Sequence, residues 1–209
     1  MPAERLHLVR HGEVHNPTRV LYGRLPNFGL SVAGREMTRS AAEYVQSLER
    51  PVGSLTSSPL QRTRESSEPF EQLFGSAPVI DERVIEPTNV FEGRRMKRAL
   101  LNPLNWWHLR APALPSWGEP YASVVARMTA AMNDAWDNTE AGDAVIVSHQ
   151  LPIWITHLHV TGAPLKHDPR KRRCALSSVT SFERVGSRWV EVAYAEPAST
   201  AGAVDVGAV

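Results

Sequence analysis

The stretch Leu6-His7-Leu8-Val9-Arg10-His11-Gly12-Glu13 changes character halfway along. Its first half, Arg5 to Val9, is apolar and short enough to be one buried strand. Its second half puts a guanidinium, an imidazole and a glycine where that strand must end. In open α/β sheets, ligands sit at the carboxyl ends of strands. Glycine lets the backbone turn sharply there and bring side chains and N–H groups close to an anion. A strand of this kind constrains the chain towards a parallel sheet that keeps its chemistry at one edge.

The following residues fit that sheet. Val14 to Phe28 has no helical period and carries Asn16, Pro17, Gly23, Pro26 and Asn27, which reads as a loop of functional length. Ser31 is placed as an N-cap, with Met37, Ala41, Tyr44, Val45 and Leu48 at helical spacing and Pro51 as the stop. Gly53 to Ser57 is a second strand and Leu60 to Phe74 a helix, which Pro69 should kink or shorten. Val79 and Ile80 make a third, short strand. Arg94 to Leu101 reads as a basic helix, and Leu101 to Trp117 is proline- and tryptophan-rich without a period.

A long helix then runs from Glu119-Pro120 to about Thr139, with Val124, Val125, Met128, Met132 and Ala135 inward. Asp143 to Ser148 is the clearest buried strand, and it too ends in a histidine, His149. A helix from Pro152 to Thr161 closes at Gly162. Ala175 to Phe182 and Trp189 to Tyr194 alternate as a hairpin around Val185-Gly186-Ser187. Alternating strands and helices predict an α/β three-layer sandwich: a mostly parallel central sheet, helices on both faces and an antiparallel edge. Residues 1–195 are expected to form a single domain. From Glu196 the pattern is lost, so 196–209 is expected to be a disordered tail.

A formal net charge of +1 gives no overall field for nucleic acid or an anionic membrane. The single cysteine, Cys174, cannot form an internal disulfide, which suits a reducing compartment. The opening residues hold no apolar run of a secretion signal, and no 18-residue apolar run occurs, so a cytoplasmic protein is expected.

A parallel sheet brings three strand ends together: Arg10-His11-Gly12, Ser148-His149-Gln150, and the turn before Arg62 in Ser57-Ser58-Pro59-Leu60-Gln61-Arg62. Two arginines and two histidines beside helix N-termini match an anion with several oxygens, phosphate above all.

These pieces resemble the histidine phosphatase superfamily, which includes the phosphoglycerate mutases. The resemblance rests on Val9-Arg10-His11-Gly12-Glu13, Leu30-Ser31-Val32-Ala33-Gly34-Arg35, Ser57 to Arg62, Glu92-Gly93, Gly118-Glu119-Pro120-Tyr121 with Arg127, and Val147-Ser148-His149. Ser177 to Phe182, and on to Trp189, is similar to the family's closing strands.

The resemblance implies that His11 is the nucleophile and passes through a phosphohistidine. It implies that Arg10, Arg62 and a protonated His149 hold the phosphoryl oxygens, with Asn16 and Gly23 as further phosphate contacts. A glutamate should supply the leaving group's proton. The family's Glu-x-x-x-Gly-x-x-Glu-Gly pattern places Glu86 there if one residue is missing before Glu92-Gly93; Glu82 is the alternative. No metal or cofactor is implied, since arginines do the neutralising.

The expected partner is a small-molecule phosphate ester, with a homodimer allowed and neither nucleic acid nor membrane. The reaction expected is phosphomonoester hydrolysis. A phosphoglycerate mutase reaction and a non-catalytic phospho-ligand module are the alternatives. His157 and His159, two apart on a helix, point apart and are not read as a metal site. Lys166 to Arg173 is either a solvated loop or a cationic rim, and Trp106, Trp107 and Trp117 are either core or lid.

Overall fold

The computed structural model of the chain describes residues 2–109 and 118–205. Six strands form one sheet: β1 (Leu6–Arg10), β2 (Val52–Ser57), β3 (Val79–Ile80), β4 (Asp143–Ser148), β5 (Val179–Val185) and β6 (Arg188–Ala195). Their order is β3-β2-β4-β1-β5-β6. β1 and β4 run parallel, as do β2 and β4 and β2 and β3; β5 and β6 complete an antiparallel edge. The sandwich expected from the sequence is the one observed.

The sheet's pleat sorts its side chains into two cores. Leu6 and Leu8 of β1 and Ala144 and Ile146 of β4 face α4 (Tyr121–Asn138) and α5 (Gln150–Val160), meeting Val124, Met128, Met132, Ile153 and Ile155. Val9, Val145 and Val147 face the other way, onto Ala41, Ala42 and Val45 of α1 (Val32–Ser47) and Phe70 of α2 (Gln61–Phe74). Each of the Val, Leu, Ile, Met and Phe side chains among them, fully buried, contributes about 1.5–3 kcal/mol. With both faces covered, the middles of β1 and β4 are apolar but for His7, whose buried ring lies 3.2 Å from Asp143 Oδ2, and the ends of both strands are fixed in space.

Several local expectations hold, and others are corrected. Ser31 caps α1, its side chain accepting from the Gly34 N–H at 2.9 Å. Pro69 does not shorten α2, which continues to Phe74 with Phe70 fully buried beyond the proline. The basic helix is only α3 (Met96–Leu100), followed by a 3-10 stretch over Pro103–Leu109. On that stretch Trp106 and Trp107 are exposed, at 61% and 68%, so neither is core. Trp117 lies outside the described residues. The first hairpin strand starts at Val179 rather than Ala175, because residues 175–178 turn under the end of β1: Ser177, left-handed at φ 54°, donates its N–H to the His11 carbonyl. The tail beyond Glu196 is described as far as Asp205, with a turn at Ala201–Gly202; 206–209 lie outside the described residues.

Candidate active site

β1 and β4 pair in register at Arg10↔Ser148, so the next residues of each strand, His11 and His149, leave the sheet side by side. Their ring centroids are 5.3 Å apart and both are buried. β2, on the far side of β4, delivers Ser57 and Ser58 to the same edge, and α2 follows directly with Arg62, 1% exposed, as its second residue. The fully buried Arg10 precedes His11. The 3-10 turn Glu82–Val84 ends against the sheet, the Ser148 hydroxyl donating to the Val84 carbonyl at 2.7 Å, and Glu86 follows, buried. Arg10, His11, Arg62, Glu86 and His149 therefore converge.

Glu82, the other candidate acid, is exposed. Asn16, expected as a phosphate contact, is buried in the loop that precedes Gly23. Its amide holds its own loop, Nδ2 donating to the Val20 carbonyl at 2.8 Å and Oδ1 accepting from the Val20 N–H at 3.2 Å. Gly23 is at the site through its carbonyl, which accepts from Arg62 Nη2 at 2.8 Å. At φ 40°, and with Glu92 against the space a Cβ would take, that position favours glycine.

The hydrogen bonds assign chemical states. His11 Nδ1 lies 2.8 Å from the Gly12 carbonyl oxygen, which can only accept, so Nδ1 carries the proton and Nε2 keeps its lone pair. Burial, then the charges of Arg62 and Arg10, hold the His11 pKa well below the usual imidazole value. A neutral, correctly oriented imidazole is a nucleophile. His149 is also held well below the usual value, by burial first and then Arg62. The protonated His149 expected from the sequence is thus not the state this environment favours. Its Nε2 is 2.8 Å from the Ser58 hydroxyl. Its Nδ1 is 3.7 Å from a Glu86 carboxyl oxygen.

Burial raises the Glu86 pKa against the opposing pull of Arg62, Arg172, Arg10 and Arg127. A carboxyl shifted in that direction keeps its proton for longer as pH rises. Among the described residues, Arg10 Nε, Arg62 Nε and His149 Nδ1 are buried without a hydrogen-bond partner. Buried donors of this kind are expensive unless something accepts from them, and an oxyanion would do so.

Five contributors escaped the sequence reading. Ser58 orients His149; Ser66 accepts the Gly12 N–H at 3.2 Å; Tyr22 lies under the Arg62 guanidinium, 4.7 Å from its ring centroid. Arg172 reaches in from the basic loop, and Asp205 of the tail grips Arg10. Ser58 and Ser66 flank Arg62 closely enough in sequence for a local reading to find them. Asp205, far along a patternless tail, carried no such signal.

Comparison with known proteins bears on the family and the fold. The model of the histidine phosphatase superfamily (branch 1) matches residues 6–197. The uncharacterized protein Rv0525 of Mycobacterium tuberculosis is 46% identical over 203 residues, covering 95% of this chain and all of the relative. The fold is similar to that of the alpha-ribazole phosphatase from Shigella flexneri: TM-score 0.75, 17% identity, 93% of this chain and 97% of the other covered. It is also similar to the mycobacterial glucosyl-3-phosphoglycerate phosphatase Rv2419c in its complex with VO3. There the TM-score is 0.74 and the identity 22%, with 94% of this chain and all of the other covered.

Proposed function

From the premise that the chain belongs to the histidine phosphatase superfamily, we propose that it is a metal-independent phosphomonoesterase acting on a small phosphate ester through a phosphohistidine on His11. The observation that carries this reading is the state of His11. Its Nδ1 proton is held by Gly12, which leaves the Nε2 lone pair free beside two buried guanidinium groups. The neighbours named as phosphatases support hydrolysis as the outcome.

In the first step, Nε2 of His11 attacks phosphorus, the P–O ester bond breaks and its electron pair leaves on the alcohol oxygen. Glu86 gives that oxygen its proton. Arg10 and Arg62 neutralise the equatorial oxygens, which is the work of preorganised donors in a dry site. A phosphoryl dianion also reverses the charge balance around His149. An ester that enters as the monoanion can pass its remaining proton to the neutral ring, which then donates to the resulting dianion from Nδ1. In the second step Glu86, now ionised, takes a proton from water, whose oxygen attacks phosphorus. The P–N bond breaks and its pair returns to Nε2. Cys174, buried and unpaired, suits the cytoplasmic placement we propose with this function. No helix among the described residues is long and apolar enough to cross a membrane.

The test is direct. Wild-type protein quenched during turnover of a labelled ester should carry an acid-labile phosphoryl group on His11, and His11→Ala should lose activity by several orders of magnitude. Activity of His11→Ala within about tenfold of wild type would overturn the mechanism. Transfer of the label to a second alcohol rather than to water would replace hydrolysis by a mutase reaction.

A further inference from the structure

An overall charge of +1 conceals how unevenly the charge is spread. Between Glu92 and Glu119 the sequence carries Arg94, Arg95, Lys97, Arg98, Arg110 and three tryptophans, with no aspartate or glutamate among them. The first part of this run folds into α3 and the 3-10 stretch after it. Met96 and Ala99 turn inward onto Leu21 and Phe91. The 3-10 stretch is fastened to the end of α3: Asn105 Nδ2 donates to the Ala99 carbonyl at 2.7 Å, and Trp106 Nε1 to the Leu100 carbonyl at 2.9 Å. The Trp106 N–H is thus satisfied within the protein while its ring stays in solvent.

What remains outside is apolar. Leu100, Leu101, Leu104, Trp106 and Trp107 are all exposed, between positions 100 and 107. Leu101 and Leu104, at 80% and 81%, stand clear of the surface rather than lining a groove. Arg94 and Arg98 are exposed as well, and Arg98, three residues before Leu101, shares its side of the helical turn. An apolar patch bordered by cations marks an interaction surface. A protein partner would need a groove shaped to these side chains and acids placed to meet the arginines. A bilayer interface needs neither: it deforms around projecting leucines, takes indole rings at the headgroup level and answers cations with lipid phosphate.

We infer that this segment docks the protein on an anionic lipid surface. Leu101, Leu104, Trp106 and Trp107 enter the headgroup region, and Arg94 and Arg98 meet lipid phosphates. The expectation of no membrane contact rested on overall charge, which averages this run away. The segment is also tied to the site. Gly93 donates its N–H to the Leu21 carbonyl at 2.7 Å, Leu21 its N–H to the Arg94 carbonyl at 2.9 Å, and Arg95 Nε to the Thr18 carbonyl at 2.7 Å. Leu21 precedes Tyr22, which lies under Arg62. Docking therefore holds the loop beside the phosphate pocket at the lipid surface. The anionic cytoplasmic leaflet suits the placement proposed above.

The experiment is flotation of the full chain with vesicles of phosphatidylcholine, alone or with about one-third phosphatidylglycerol, repeated with brominated acyl chains that quench tryptophan fluorescence. The anionic vesicles should bind roughly tenfold or more tightly than the neutral ones. Bound protein should be quenched, since Trp136 and Trp154 are buried whereas Trp106 and Trp107 are exposed. Arg94→Gln/Arg98→Gln should weaken binding about thirtyfold, the worth of two cations at such a surface. Leu101→Ser/Leu104→Ser should weaken it roughly tenfold or more and reduce the quenching. Both pairs replace exposed side chains, and an unchanged melting temperature shows that each variant is folded. No binding, equal binding to both vesicles, binding without quenching, or binding that survives either double variant would overturn the inference. So would failure to bind vesicles together with capture by immobilised polyglutamate, which would assign the patch to an acidic protein partner. None of these readouts needs turnover, so the outcome is separate from that of the phosphatase reading.

Discussion

Asp205 and Arg10 meet in a two-point ion pair, with Oδ2 2.8 Å from Nη1 and Oδ1 2.5 Å from Nη2. Arg10 is fully buried while the Asp205 side chain is 36% exposed. A carboxylate from the tail thus occupies donors of an arginine assigned to phosphoryl oxygens. On the mechanism proposed above it must let go, or share, when the phosphate ester binds. Asp205→Asn should therefore tighten inhibition by inorganic phosphate by roughly fivefold, the equivalent of a partly exposed pair worth about 1 kcal/mol. Because salt screens the competing ion pair as well as the phosphate, the wild-type inhibition constant should be the less sensitive of the two to salt. Equal inhibition constants would show that the tail carboxylate does not compete for Arg10.

Gly12 and Gly34 hold the turn after His11 against the start of α1. A Cβ at Gly12 would run into the Gly34 carbonyl oxygen, and one at Gly34 into the backbone of Glu13. Neither obstacle is a side chain that can swing aside. Gly34→Ala should cost about 1–3 kcal/mol through overpacking, seen as a melting temperature several degrees lower. Because the displaced backbone carries His11, kcat should fall as well. A stable and fully active Gly34→Ala would mean that the two segments slide apart easily.

The buried histidines set an acid limit on stability. His11 and His149 have folded pKa values well below the ordinary 6.5, with burial the first cause of each, and His167 is lowered in the same way. Below about pH 6.5 the unfolded chain binds protons that the folded chain refuses. The stability these neutral rings provide is complete above that pH and is lost as pH falls. Each contributes up to about 1.4 kcal/mol per pH unit. Glu86, with its raised pKa, works in the opposite direction but is one group against three. Denaturant unfolding at pH 7.0, 6.0 and 5.0 should show stability falling throughout, and His149→Asn should flatten the slope. A slope of zero would mean that the rings open to water before they titrate.

Legibility in the sequence followed how local each cause is. β1 and β4 were readable because strands covered on both faces need mostly apolar runs, and the ends of those runs placed His11 and His149. Arg62 was readable because it opens a helix directly after a strand. Glu86 needed the structure: sequence spacing allowed Glu82 too, and only the 3-10 turn over Glu82–Val84 exposes one carboxyl and buries the other. Asn16 has a loop-holding role that the sequence did not show, its amide satisfying the backbone of Val20. Arg172 lies among four other cations between Lys166 and Arg173, and which of them turns inward is decided by His167 and Gln150. Pro69 did not shorten α2, where Phe70, fully buried just beyond it, belongs to the core.

The separation of Glu86 from Glu82 can be measured through the leaving group. An alkyl alkoxide needs a proton as it departs, whereas nitrophenolate is stable as an anion. If Glu86 supplies that proton, Glu86→Gln should slow phosphoryl transfer from an alkyl ester by about 10²-fold or more, the usual worth of a general acid. Transfer from nitrophenyl phosphate to His11, read as the burst phase, should change far less. The later hydrolysis of phospho-His11 should slow with both substrates, because glutamine cannot take the proton from water. In wild type, the raised Glu86 pKa predicts an alkaline fall in kcat/KM for the alkyl ester as the acid ionises. The nitrophenyl ester should lack that fall in its burst. Glu82→Gln, altering an exposed carboxyl, should leave both burst rates as they are. If Glu82→Gln discriminates between the leaving groups and Glu86→Gln does not, the buried carboxyl is not the acid. If neither does, the proton reaches the alcohol by another route.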